Sequence, residues 1–169
     1  MLKQQMEKYA HYNVWANSMA MDFLAALGIE ALLKEQASSF STLEKTAYHI
    51  YDAEYVWIKR IKGEPWTWPP SANLKVNSFE EFCSVWKSIS EELLAFTLSL
   101  TETDLQKFVS YKNSKGEPFN TTIADCLMHC FNHSTYHRGQ IITMLRGAGF
   151  TKVTSTDYIT FTRVSEVLQ

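Results

Sequence analysis

The sequence predicts an all-α protein, a four-helix bundle, and three observations predict it. Four segments of about 20 residues or more carry apolar side chains at three- and four-residue spacing, the period of a helix with one buried face. Serines and threonines stand where such helices should begin, and glycines where they should end. Only one short stretch, near residues 108–119, has strand character. Length sets the scale. A chain of 169 residues, 46% hydrophobic and 20% charged, is expected to form one domain over 1–169 with a sizeable core.

Residues 2–27 read as the first helix. Leu2, Met6, Tyr9, Asn13, Ala16, Ala20, Phe23, Leu24 and Leu27 mark its inner side, and Gly28 is its expected stop. Residues 29–40 connect, with a turn of helix expected at 30–36. Ser41-Thr-Leu-Glu44 has capping-box spacing and should open the second helix, which Gly63 closes after Lys62. Its buried side is Leu43, Ala47, Ile50, Trp57, Ile58 and Ile61, with His49 and Asp52 beside that face. Residues 63–77 hold three of the four prolines and two tryptophans, so an ordered loop or lid is expected, because indoles seek burial.

Ser78-Phe-Glu-Glu81 is a second capping box, opening a third helix to about Leu100 with Phe82, Val85, Trp86, Ile89, Leu93 and Phe96 inside. Thr101–Gln106 reads as a short turn. Phe108-Val-Ser-Tyr111 and Pro118-Phe119 flank a polar Gly-containing stretch, a small hairpin inserted before the last long helix. Thr121 or Thr122 should cap that helix, and Gly147 or Gly149 should end it. In the tail, Asp157-Tyr-Ile-Thr-Phe-Thr-Arg163 is expected to pack as a short helix.

A formal net charge of −2, with lysines and arginines scattered and no basic run, gives no electrostatic case for a nucleic-acid partner. Charges or amides interrupt every apolar run, so no membrane span is predicted. The chain starts on a polar amphipathic stretch instead of an apolar leader, and a cytoplasmic location is expected. Cys83, Cys126 and Cys130 form no CxxC pair, which suits a reducing compartment and burial as small apolar side chains.

The chemistry concentrates in Asp125–Arg146, DCLMHCFNHSTYHRGQIITMLR. His129, His133 and His137 recur every four residues, and residues four apart on a helix lie one turn above each other. Two neutral imidazoles in HxxxH spacing form two legs of a first-row metal site. The alternative is a pair of hydrogen-bonded core histidines, but Leu127, Phe131, Ile141, Ile142 and Leu145 make this an apolar helix, where uncompensated imidazoles are costly. Bundles build such sites from facing helices, and His49 on the second helix is available as a third imidazole.

Four pieces of the sequence together resemble the DinB family of YfiT-like metal-dependent bundles. They are Tyr12-Asn-Val-Trp15-Ala16-Asn17, Ser41-Thr-Leu followed by His49 and Trp57, the run from His129 to Ile141 (HCFNHSTYHRGQI), and Asp157-Tyr-Ile-x-Phe-x-Arg163. The resemblance implies an up-down-down-up bundle holding a divalent metal, nickel or zinc, through His49, His133 and His137. It leaves His129 outside the ligand set, orienting a neighbour or hydrogen-bonded in the core, while His11 is expected at the surface.

Three protein ligands leave a position for water or substrate, the arrangement of a catalytic site. Relatives imply a transferase of low-molecular-weight thiols such as bacillithiol, with a small-molecule thiol or electrophile as partner. Asp52, Tyr136 and Arg138 are weak candidates for steering the electrophile, chosen only for closeness in sequence to the ligands. A metal-dependent hydrolase would need a carboxylate base, and the residues between His133 and His137 are Ser134, Thr135 and Tyr136, so only Asp52 or Glu54 is on offer. A stress-response binding protein without turnover would show a fourth protein ligand such as Cys126 or Cys130. Five tryptophans and ten phenylalanines exceed the needs of one small core, and a homodimer is expected.

Overall fold

The computed structural model describes residues 1–113 and 115–167, and of residues 165–167 the backbone alone. Four long helices form a bundle: α1 (Leu2–Ala25), α3 (Leu43–Lys62), α4 (Phe79–Ser99) and α6 (Ile123–Gly147). Short helices α2 (Ile29–Leu33), α5 (Glu102–Leu105) and α7 (Tyr158–Val167) fill the connections and the tail. The hairpin is present as β1 (Phe108–Lys112) and β2 (Pro118–Thr122), antiparallel with Tyr111 opposite Phe119. The expected all-α bundle is what the chain forms.

Side-chain contacts fix the helix directions. Tyr48 meets Phe82 and Lys62 meets Glu92, so α3 and α4 run parallel. Thr46 meets Met144 while Trp57 meets His129, so α3 and α6 run antiparallel. Tyr9 pairs with Asn132 and Asn17 with Arg138, which sets α1 parallel to α6. The order is therefore up, down, down, up. Two parallel neighbours in succession need a long connection, and residues 63–78 supply it, with a 3₁₀ turn at Pro70–Asn73.

The helix ends follow the expected chemistry with shifts of one or two residues. Thr42, not Ser41, caps α3: its Oγ1 accepts from Lys45 N at 3.1 Å, so the predicted box is out of register by one. Ser78 does cap α4, but Glu81 reaches past it to accept from Asn77 N at 2.7 Å. Thr122 caps α6 through Asp125 N. α1 stops at Ala25, and Gly28 has extended backbone before α2; Ala26 and Leu27 N–H groups already close the last turn on Asp22 and Leu24 carbonyls. Gly63, at φ +69°, ends α3 in the left-handed conformation that glycine adopts without strain.

Fully buried Trp86, Phe82, Phe131, Leu24, Ile50 and Leu127 form the main core. Each such side chain contributes about 1.5–3 kcal/mol by leaving water. A second, smaller aromatic cluster of Tyr12 and Phe161, with Trp15 and Tyr158 against them, holds α7 to α1. Tyr12 Oη also donates to Thr156 O at 3.0 Å, fastening the segment before α7. No described helix is long and apolar enough to cross a membrane.

Candidate metal centre

Antiparallel packing of α3 on α6 brings His49 opposite His133 and His137. His49 Nε2 lies 3.0 Å from His133 Nε2, and one ligand nitrogen from each of the three rings falls within 4.8 Å of the others. Two nitrogens bound to one ion at the usual imidazole distance stand about 2.9–3.4 Å apart. The His49–His133 pair already has that spacing. Among the described residues no other histidine, cysteine or carboxylate joins the group.

The electrostatics fit a cation. Burial and the His137 imidazole push the His49 pKa down to about 4. Burial and the neighbouring histidines, His137 first, push His133 down to about 3. His137 is also lowered by burial, partly offset by its bond to Gln140. All three are therefore neutral at pH 7, the form that binds metal. His137 Nδ1 lies 2.7 Å from Gln140 Oε1; as donor to that carbonyl it leaves the Nε2 lone pair free. Gln140 is held in turn by Ser39 Oγ at 2.8 Å and the Tyr136 hydroxyl at 3.3 Å. His133 Nδ1 is buried with no hydrogen-bond partner. Three desolvated imidazoles with no acid among them are an unfavourable cluster alone, and a divalent ion would relieve it. These residues fit a metal.

Aromatic side chains wall the cluster. Phe40 stacks on His49 with centroids 4.1 Å apart, and Trp68 meets the same ring edge-on at 5.9 Å. On the other side His49 and His133 open into a cavity of about 290 Å³, walled also by Trp57, Trp66, Trp68 and Arg60. The tryptophans of residues 63–77 are thus not core residues: Trp68 stays half exposed and both face this cavity. Asp52 keeps their segment in place, accepting from Ser71 N at 2.7 Å and Ser71 Oγ at 2.8 Å.

His129 lies outside the trio as expected, its ring against Trp57 at 4.8 Å and lining the cavity. His11 is exposed. Cys126 and Cys130 are buried, and burial raises their thiols, Cys126 to about 11. Neither joins the histidines. Arg138 is corrected by the structure: it does not face the histidines but is buried against α1, donating to Asn13 and Asn17 Oδ1 at 2.8 and 2.7 Å. Glu54 is fully buried, accepting from Asn13, Asn17 and Ser134 on one oxygen and Ser90 on the other. Asp52 is the loop anchor. Of the weak candidates only exposed Tyr136 borders the site, edge-on to His137 at 4.9 Å.

Sequence reasoning assigned no role to Gln140, Phe40 or Arg60. Gln140 had a signal, since it stands three residues after His137 and so on the same helix face. Phe40 and Arg60 had none, because their partners come from distant segments.

Comparison with known proteins bears on the family and the fold. The family model described as DinB family matches residues 1–166. Protein DinB of Bacillus subtilis (strain 168) is 31% identical over 157 residues, covering 89% of this chain and 90% of that protein. The crystal structure of a DinB-like protein from Bacillus cereus ATCC 10987 superposes with a TM-score of 0.63 at 23% identity, over 83% of this chain and 90% of that one. That likeness is one of fold.

Proposed function

This chain belongs to the DinB family, and on that footing we propose that it is a metal-dependent enzyme, a transferase that joins a low-molecular-weight thiol of the bacillithiol type to an electrophile. The observation that carries the reading is a neutral histidine trio, two of whose rings (His49 and His133) line a cavity, with no further histidine, cysteine or carboxylate joining them among the described residues. His49, His133 and His137 would hold the ion, nickel or zinc as the family resemblance implies, among the several first-row divalent metals that three imidazoles accept. Bound there, it supplies positive charge that makes a thiol acidic enough to ionise near neutral pH. Gln140 keeps His137 in the tautomer whose Nε2 faces the site. Trp57, Trp66 and Trp68 line the approach and offer flat apolar faces to the electrophile.

Hydrolysis is less favoured, because the carboxylates it would need are engaged: Glu54 in its buried network and Asp52 on Ser71. A homodimer remains part of the proposal, with exposed Phe108 and Phe119 on the hairpin as apolar surface for it; sedimentation at several concentrations tests it.

The testing experiment is elemental analysis of the purified protein with bacillithiol titrated into the same sample. About one metal per chain is expected, together with thiol affinity that disappears on chelation. His49→Ala, His133→Ala and His137→Ala should each lose the metal, while His129→Ala and Cys83→Ser keep it. Alanine variants that hold metal like the parent overturn the site, and metal without thiol affinity overturns the thiol chemistry.

A further inference from the structure

Arg60 is the charged residue of the cavity for which the metal reading has no use. Its guanidinium sits between rings, 4.8 Å from Trp57, 4.5 Å from Trp66 and 5.2 Å from Tyr111. Nη2 donates to Lys112 O at 3.2 Å, while Nε is buried with no hydrogen-bond partner. No carboxylate pairs with it among the described residues. Three elements are spent on holding this one group: α3 carries it, the 63–77 loop brings Trp66, and β1 brings Tyr111. A guanidinium stacked among rings is fixed in orientation and partly stripped of water, so an unmatched anion is what it lacks.

The position is informative. His49, Ala53, Val56, Trp57 and Arg60 line the cavity from one face of α3, at the three- and four-residue steps of a helix. Helical side chains lean toward the N-terminus, so Arg60 leans back toward His49 across roughly 16 Å of helix axis. The histidines hold one end of the cavity wall and the guanidinium the other, with tryptophan faces between.

We propose that Arg60 is an anion-recognition residue: the molecule whose one end reaches the histidine trio carries a carboxylate at its other end, paired with this guanidinium. The inference rests on the thiol reading above for the chemistry of the first end only. A carboxylate fits the planar fork, and an apolar or flat middle fits the tryptophan walls.

The test uses probes that differ in one group: 6-mercaptohexanoate, 6-mercaptohexan-1-ol and thiol-free hexanoate, titrated into metal-loaded protein and followed by tryptophan fluorescence. The acid should bind about tenfold or more tighter than the alcohol, the worth of one charge-assisted pair. Arg60→Gln should bring the two within about twofold of each other with metal content unchanged, and Arg60→Lys, which keeps the charge without the fork, should fall between. If Arg60→Gln melts below the assay temperature, Arg60→Lys against the parent decides. Equal affinity for acid and alcohol in the parent overturns the proposal, as does a full preference surviving in the variants. Hexanoate that binds through Arg60 as tightly as 6-mercaptohexanoate does supports the anion site and sinks the thiol reading instead.

Discussion

Two polar clusters interrupt the apolar seam of this bundle, barely more than a turn apart on α3, and they differ in one respect. Around Glu54 almost every hydrogen bond is made. The carboxylate accepts from Asn13, Asn17, Ser90 and Ser134, and the same two asparagines accept from Arg138, whose Nη2 also finds Thr135. All four bundle helices are tied in that knot. Around His49 the bonds are incomplete: imidazole faces imidazole, His133 Nδ1 has no partner, and one wall is a cavity. Polarity in a core does not mark a functional site, since both clusters have it. Unsatisfied polarity beside open space does, because only such a cluster has something left to give a ligand.

Breaking the satisfied cluster should have the largest effect on stability. Glu54→Ala removes the acceptor of four donors and leaves Asn13 Nδ2 and Ser134 Oγ without another partner among the described residues. It also leaves Arg138 buried with no acid nearby, a loss in all of about 3–5 kcal/mol, or roughly 6–20 °C in melting temperature for a chain of this size. His133→Ala, by contrast, should leave the melting temperature of the metal-free protein unchanged or raised, because it removes a group with a buried orphan nitrogen. Thermal melts of both variants without metal check the pair. If Glu54→Ala melts like the parent, the knot is not what aligns the helices.

A smaller effect is expected one step out from the open cluster. Gln140 fixes the His137 ring but is partly exposed, so Gln140→Ala should weaken metal binding by about 10–100-fold while hardly moving the metal-free melt. Competition with a chromophoric chelator reads it. Unchanged metal affinity would mean that His137 holds its tautomer without help.

The closed cluster was illegible in the sequence and the open one was not, for a geometric reason. His133 and His137 share one helix, so their spacing alone puts them together, and the family resemblance supplied His49. The partners of Glu54 lie on three other helices, and nothing local joins Asn13 to Ser90 or Ser134. Arg138 adjoins His137 in the chain but points about 100° away, which already weighs against a role at the site, and it is buried against α1. The fold was legible because each long helix declares its own buried face. Arg60 was not, since Trp66 and Tyr111 reach it on a loop and a hairpin whose course no periodicity encodes. Capping residues were readable only to within a position, as Thr42 and Ser41 show, because adjacent hydroxyls compete for the same N–H groups.

The gentlest way to separate the clusters is pH. In the metal-free protein His49 and His133 resist protonation down to about pH 4 and 3, whereas in the unfolded chain they take up protons near pH 6.5. A base whose pKa is lowered by folding makes the unfolded state the better proton acceptor, so stability falls as pH drops below 6.5 and stops falling below the folded-state values. Metal bound by the folded protein should leave at the acid end of this window, where protons begin to compete for the His49 and His133 nitrogens. The dependence should flatten in a protein carrying both His49→Ala and His133→Ala, with Glu54 and its partners untouched. Denaturant melts of metal-free parent and double variant at pH 7, 5.5 and 4.5 measure it. Equal pH dependence in the two proteins would place the titrating groups elsewhere and remove the argument that these imidazoles are kept neutral for a metal.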